Sequence, residues 1–365
     1  MEVRYFGVDL HKAQATWHCI SRRQGGELER TNGKILTCRL EEDFLPLLSE
    51  EGCYVIVEAS GSTFFFASLV AAHCTRVIVV NPVAFREMYM SGKKTDRIDA
   101  KRLADRLMYH IEMNDPDDGF PEVFTPDAEA VKILKLITSY ELLVKQMTQL
   151  KNQFKAIPRA KMIADHDDGM DDGYERLSKN TRLDNADLII IKTLKDARDA
   201  LGNEKENIRR AILEIGVLRF RHEAELLTSV SGVSVMGAIV FMSDIVTVDR
   251  FASAKKMTSY LASVGKVDSS GTMTRNGGLN RRGRRTSYRF ILQGLEHIVR
   301  GNKSFASFKE RHSSKKANKV RAAIVRKTFV AMYYMLKNNE QYRYFESAIY
   351  KRKQREITRI LENVA

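Results

Sequence analysis

The sequence predicts an α/β layer at the N-terminus followed by a longer, all-α region. Short apolar runs alternate with helix-like segments over the first 110 residues. Apolar residues then recur at spacings of three and four, and the positive charge gathers toward the C-terminal end. Tyr5-Phe6-Gly7-Val8 is the first strand candidate, with a second at residues 15–20. Residues 40–48 read as a short amphipathic helix. Tyr54-Val55-Ile56-Val57 is an apolar run suited to a buried strand, and residues 64–72 suit the helix after it. Val77-Ile78-Val79-Val80 is another buried strand, ended by Asn81-Pro82. Continuous apolar strands between helices imply parallel pairing in the middle of the layer.

A different texture begins at Thr125-Pro126, an N-cap and first helical position. Ile133, Leu136, Tyr140, Leu143, Met147, Leu150, Phe154 and Ile157 form a heptad seam that Pro158 terminates. Residues 165–175 are acidic and turn-rich. They do not make a calcium loop, because Gly169 falls where the third ligand belongs, so they read as a solvated hairpin tip. A second long helix over roughly residues 185–227 carries Ile190, Leu194, Ala197, Leu201, Ile208, Ile212 and Ile215. The pair predicts an antiparallel coiled-coil arm that serves oligomerisation. Beyond it the chain is expected to be helical and basic. Gly232 and Gly237 mark a turn that either presents N–H groups to a phosphate or simply packs, and a helix continues over 238–245. The predicted domains are residues 1–120, the arm at 121–226, a helical domain at 227–345 and a basic tail at 346–365.

The net charge of +14 is unevenly spread. Residues 251–365 hold 26 Lys and Arg against 7 Asp and Glu, so the rest of the chain is slightly acidic. Charge concentrated in this way favours a polyanion, bound through phosphate contacts and counterion release. No apolar run reaches the roughly 18 residues that a membrane span needs, and no secretory signal opens the chain, so a cytoplasmic protein without membrane contact is expected. Cys19, Cys38, Cys53 and Cys74 lack metal-ligand spacing and are expected as reduced thiols. His18-Cys19 and His73-Cys74 are poor zinc pairs, because neighbours on a strand face opposite ways. Trp17, the one tryptophan, is expected in the core.

Four carboxylates carry the chemistry. Asp9 follows the first strand and Glu58 ends the strand at 54–57. Carboxylates beside buried strand ends are costly unless they face a site or a cation. Asp96 and Asp99, in Lys94-Thr95-Asp96-Arg97-Ile98-Asp99-Ala100, lie three apart on one face of a predicted helix. Four such groups can hold two hard cations about 3.5–4 Å apart, the arrangement that serves displacement at phosphorus.

Gly7-Val8-Asp9-Leu10-His11-Lys12, Val57-Glu58-Ala59-Ser60-Gly61, Val80-Asn81-Pro82 and the 94–100 segment together resemble the signature of the DEDD-type insertion-sequence transposases, a pattern shared with the Piv-type DNA invertases. Residues 230–237, Asp249-Arg250-Phe251, Ser269-Ser270-Gly271 with its basic sequel, and the helix expected over 319–342 continue the resemblance through most of the chain. The resemblance implies a RuvC-like, RNase H-fold first domain. In it Asp9, Glu58, Asp96 and Asp99 bind magnesium as two ions, with manganese as a substitute. It implies a serine nucleophile that forms a covalent phosphoserine, best matched by Ser270 with Ser269 as the competitor. A hydroxyl of this kind needs activation by a base or metal. It implies donor and target DNA as partners, a structured guide RNA, and a dimer or tetramer. Arg275, Arg281, Arg282, Arg284 and Arg285 lie in the family's basic stretch, and Lys351, Arg352 and Lys353 form a further basic run; all are expected to contact nucleic acid. Base pairing by a guide would account for the lack of a compact DNA-reading motif. A site-specific invertase, a junction-resolving nuclease that needs no serine, and a catalytically dead regulator are the competing readings.

Overall fold

The computed structural model describes residues 2–23, 25–87, 95–113, 120–164, 169–263, 265–270, 273–279 and 283–364, with backbone alone for 265–270 and 273–279. The chain divides into two compact units, Met1–Ala128 and Glu129–Ala365.

In the first unit, strands β1 (Val3–Leu10), β2 (Gln14–Arg22) and β3 (Leu28–Leu36) form an antiparallel meander. The one-turn helix α1 (Leu40–Asp43) follows, where Pro46 limits the helix expected at 40–48 to short turns. Strand β4 (Cys53–Glu58), helix α2 (Thr63–Val70), strand β5 (Arg76–Val80) and helices α3 (Pro82–Glu87) and α4 (Asp96–Met113) complete the unit. The sheet order is β3-β2-β1-β4-β5, with β1, β4 and β5 parallel. This mixed five-stranded sheet is the RNase H-like arrangement that the resemblance implies.

Side chains alternate across the sheet, so each strand feeds two cores. Phe6, Val8, Cys19, Val55 and Val57 point to one face and pack with Phe44, Phe66 and Val70. Tyr5, Ile20, Ile56, Ile78 and Val80 point to the other, against Leu103, Ala104 and Leu107 of α4. His18 and Cys19 face opposite ways accordingly. Strand β3 was not foreseen. Its residues are mostly exposed on both faces, so an edge strand of this kind shows no apolar alternation. All four cysteines are free thiols. Burial pushes Cys19 up to about 11 and Cys74 to about 12. Trp17 is half-buried, tilted against Phe6 and lying over Gly33, where a Cβ would meet the indole at 2.8 Å.

The second unit opens with two long helices, α5 (Ala128–Ala160) and α7 (Asn185–Arg219), separated by α6 (Met170–Ser178). They run antiparallel: Arg219 approaches Glu129, Gly202 faces Met147, and Lys161 meets Asp184 and Asp187. Asp184 and Asp187 form a reciprocal capping box that starts α7. Three expectations are corrected here. From Met170 onward the acidic segment is helical rather than a solvated tip. Met170 and Leu177 pack with Phe154, Ile163, Leu183 and Ile191 in a small core of their own. The inward residue of α7 in that core is Ile191, fully buried, whereas Ile190 is 49% exposed. The second long helix also breaks at Phe220, after which α8 (Arg221–Leu227) begins.

The main core surrounds α9 (Val235–Ile245), every residue of which is buried. A helix that is apolar all round is a central one. Ser234 caps it by accepting from Gly237 N–H. Around it stand α10 (Ala254–Tyr260), α11 (Thr286–Gln293), α12 (Leu295–Arg300), α13 (Lys303–Arg311), α14 (Ala317–Asn338) and α15 (Ser347–Val364). Between α10 and α11 the expected helix is replaced by a hairpin of β6 (Gly265–Ser270) and β7 (Met273–Leu279). The turn at Gly232 takes the packing role. A Cβ there would meet Gly294 O at 2.3 Å, and one on Gly294 would meet Gly232 O at 1.9 Å, so two backbones touch where neither residue has a side chain.

Candidate active site

Asp9 lies one residue beyond the last β1–β4 pair, Val8 with Val57, and Glu58 holds the equivalent place on β4. In-register parallel neighbours point to the same face, so both carboxylates share the α4 face with Tyr5 and Ile56. The loop after Glu58 is pinned: Thr63 Oγ1 donates to Glu58 O at 2.7 Å and accepts from Ser60 N–H at 2.8 Å. Thr95 opens α4, its Oγ1 accepting from Ile98 N–H at 3.3 Å and its carbonyl from Asp99 N–H at 3.0 Å. This cap sets Asp96 and Asp99 in the first helical turn.

Gly7 brings that turn onto the sheet. A Cβ at Gly7 would lie 2.2 Å from Ala100 O and 2.4 Å from Ala104 N. Only glycine lets α4 rest with its backbone on β1, which carries its first turn beside Asp9.

The result is a compact donor group. Ligand atoms of Asp9, His11 and Asp96 all lie within 4.8 Å of one another. His11 Nε2 is 3.2 Å from Asp9 Oδ2 and 3.5 Å from Asp96 Oδ1. Gln14 Nε2 donates to Asp96 Oδ2 at 3.4 Å, and Lys34 Nζ stands 4.0 Å from the same oxygen. Asp99 is 3.5 Å from Arg102. Burial chiefly, and then the charges of Asp96 and Asp99, hold the Asp9 carboxyl above the usual carboxylate range, against the opposing pull of His11. Negative charge crowded in a half-buried place is what a divalent cation relieves. The residues therefore fit such an ion, with oxygens from Asp9 and Asp96 and a nitrogen from His11.

His11 was not singled out from the sequence. It lies just past the end of β1, where a lone histidine carries no periodic signal. Glu58 and Asp99 stand near this centre by element and register but lie outside the tight three-residue group.

Two family models match the chain. A DEDD-type IS110 model described as Transposase covers residues 6–158, and one described as Transposase IS116/IS110/IS902 family covers residues 224–310. Together they span well over half of the sequence. The chain belongs to the IS110 family of DEDD transposases. The transposase is thus a metal-dependent, DNA-cleaving enzyme, and the sheet bearing Asp9 lies in its DEDD domain. No curated protein matched. Among the described residues, no helix is long and apolar enough to cross a membrane.

In the second unit of the transposase, Ser269 and Ser270 end β6 at the hairpin tip, paired in register with Thr274 and Met273. Arg275 lies on β7 opposite Asp268. Arg281 and Arg282 lie outside the described residues. Arg285, Lys351 and Arg352 are exposed. Arg284 is tied inward: its Nε donates to Tyr260 Oη at 2.9 Å, and its guanidinium stands 3.6 Å from Asp244. Asp244 is almost wholly buried and accepts from Ser287 N–H at 3.0 Å and Ser287 Oγ at 2.6 Å. Burial raises its pKa, while Ser287 and Arg284 oppose the rise.

Lys353 corrects its expected role as a nucleic-acid contact. It is 6% exposed, and its ammonium donates to the carbonyls of Thr228, Val230 and Ser231 at 2.9, 2.8 and 3.0 Å. Burial lowers its pKa to about 8, still above neutrality, and three carbonyl acceptors suit the charged form. The group is committed to the protein's own backbone.

Proposed function

We propose that this transposase cuts and rejoins DNA through a covalent phosphoserine, with magnesium held by Asp9, Glu58, Asp96 and Asp99 and with Ser270 as the nucleophile. The convergence of Asp9, His11 and Asp96 at the end of β1 is the observation that carries the metal half of this reading. Magnesium and manganese both favour oxygen ligands, which the carboxylates supply, so manganese is expected to substitute for magnesium. When bound, the ions supply positive charge where negative charge grows at phosphorus. The Ser270 hydroxyl attacks the phosphodiester, a sugar oxygen leaves with the electron pair and takes up a proton, and a phosphoserine ester results. Attack by the incoming strand's hydroxyl on that ester restores the serine and joins the new strands.

A structured guide RNA that pairs with donor and target DNA is part of the proposal, as is assembly into a dimer or tetramer. The middle of the α5–α7 pair supports assembly, since Leu143, Met147, Leu150 and Leu201 are only partly covered there. The domain limits proposed for this cycle are residues 1–120, 121–226, 227–345 and 346–365.

The test is to incubate the purified protein with magnesium, its own flanking transcript and donor-plus-target DNA, and to look for protein covalently attached to DNA. An adduct lost in both Ser270→Ala and Asp9→Asn is the expected result. Cleavage without any adduct would overturn the serine half and leave a nuclease.

A further inference from the structure

A groove of about 890 Å³ lies along α14 in the second unit. Its floor is one face of that helix, where Lys327, Val330, Tyr334 and Asn338 follow at spacings of three and four. Its far wall is the segment 340–344 that leads toward α15.

Two features set this groove apart from an ordinary crevice. The first is aromatic. Tyr334 and Tyr344 are 54% and 46% exposed, an unusual cost for two large rings in one depression. Both are held in place from behind. Tyr334 stands edge-on to Tyr333 at 5.3 Å, and the Tyr333 hydroxyl donates to Phe251 O at 3.2 Å. Tyr344 stands edge-on to Tyr342 at 5.8 Å. Tyr342 is itself fixed, accepting from Asn302 Nδ2 at its hydroxyl and donating its N–H to Ser229 Oγ at 2.8 Å.

The second feature is charge. Arg326 and Arg343 are exposed in the lining, and among the described residues neither forms an ion pair. Lys327 lies over the Phe308 ring at 5.1 Å. Glu340 is the one acid among the described lining residues. Pre-set rings next to uncommitted guanidinium groups match a ligand with flat faces and repeated anionic links.

We propose that this groove binds an unpaired stretch of nucleic acid, with bases stacked on Tyr334 and Tyr344 and phosphates on Arg326 and Arg343. Exposed rings favour a single strand over a duplex, because duplex bases already stack on one another and offer no free face. DNA and RNA share this chemistry. The site shares with the strand-exchange reading only that the protein acts on nucleic acid, and it works through none of the same residues.

Full-length protein is titrated with fluorescent oligo(dT) and oligo(U) of about 12 nucleotides, within the usual range of single-strand site sizes, and with a duplex of equal length. Tyr334→Ala combined with Tyr344→Ala is expected to weaken single-strand binding about tenfold or more, the effect of losing a stacked base. Duplex affinity should not change. Replacing both tyrosines by Phe should retain binding, because the ring rather than the hydroxyl does the stacking. Arg326→Gln with Arg343→Gln should weaken binding and flatten its salt dependence. The sugar bound more tightly identifies the strand. Photocrosslinking of the wild-type complex should map to Tyr334 or Tyr344.

Wild-type affinity in the folded Ala double variant, an equal loss on duplex, or crosslinks confined to other surfaces would each overturn the proposal. The groove is read by oligonucleotide affinity and crosslink position and the phosphoserine reading by a covalent adduct, so failure of one can be told apart from failure of the other.

Discussion

Gly7 and Asp9 are two residues apart, and each constrains the other's use. A methyl group at Gly7 meets carbonyl and amide atoms of α4, which cannot rotate away as a side chain can. Gly7→Ala is therefore expected to cost about 1–3 kcal/mol, the usual range for overpacking, and to displace Asp96 and Asp99 from Asp9. Urea unfolding together with a cleavage assay would show both losses in one variant. Asp9 leads to a prediction about pH. Its pKa lies above the carboxylate norm in the folded protein, so the fold retains a proton that the unfolded chain has released. Without metal, that contribution is present at low pH and is lost as pH rises through the raised value. Magnesium should then raise the melting temperature more at neutral than at acidic pH, because it replaces the missing proton. Asp9→Asn should abolish the magnesium effect, and an equal magnesium shift in that variant would remove Asp9 from the metal site. The four carboxylates were legible because each sits where an apolar strand or a capped helix begins or ends. His11 was not, since a lone histidine carries no periodic signal.

Helix α15 shows how a basic run can mislead. Lys351-Arg352-Lys353 looks uniformly solvated, but the helical period places Lys353 with Ile357, Ile360 and Leu361 on the side that packs against the core. Lys353→Met keeps the apolar stem and leaves three carbonyls without their donor. It should destabilise the protein by about 1–3 kcal/mol, the cost of stranded buried acceptors, and hydrogen exchange should quicken in α15 first. If α15 exchanged at its wild-type rate, the lysine would not be what docks it. Strands β1, β4 and β5 were readable as apolar runs bounded by turn residues. The hairpin of β6 and β7 was not, because Lys266-Val267-Asp268-Ser269-Ser270 has little apolar content to set a period. The break between α7 and α8 was also hidden, as neither Gly nor Pro stands at Phe220. At the other end of α7 the capping box is local, so Asp184→Ala should speed exchange over the first turn of α7 and leave α9 protected.

The charge of the whole chain, +14, sets how the protein meets its substrate. Binding to DNA should weaken steeply with salt, by about 1,000-fold between roughly 50 and 200 mM for about six phosphate contacts. A salt-insensitive affinity would argue against phosphate contacts as its source. Lys353 and Arg284 should add little to that slope, because one is buried and the other is drawn to Asp244. The two compact units also have separate cores, so they can respond separately to heat or metal. Trp17 makes this observable. It is the only tryptophan in the chain, it leans on Phe6, and its backbone pairs with Val8, the residue before Asp9. Selective indole fluorescence is therefore a built-in optical probe of the first unit. Metal titration and melting of the catalytic sheet can be followed in the unlabelled protein, in the same cuvette in which circular dichroism, dominated by the helices, tracks the other unit.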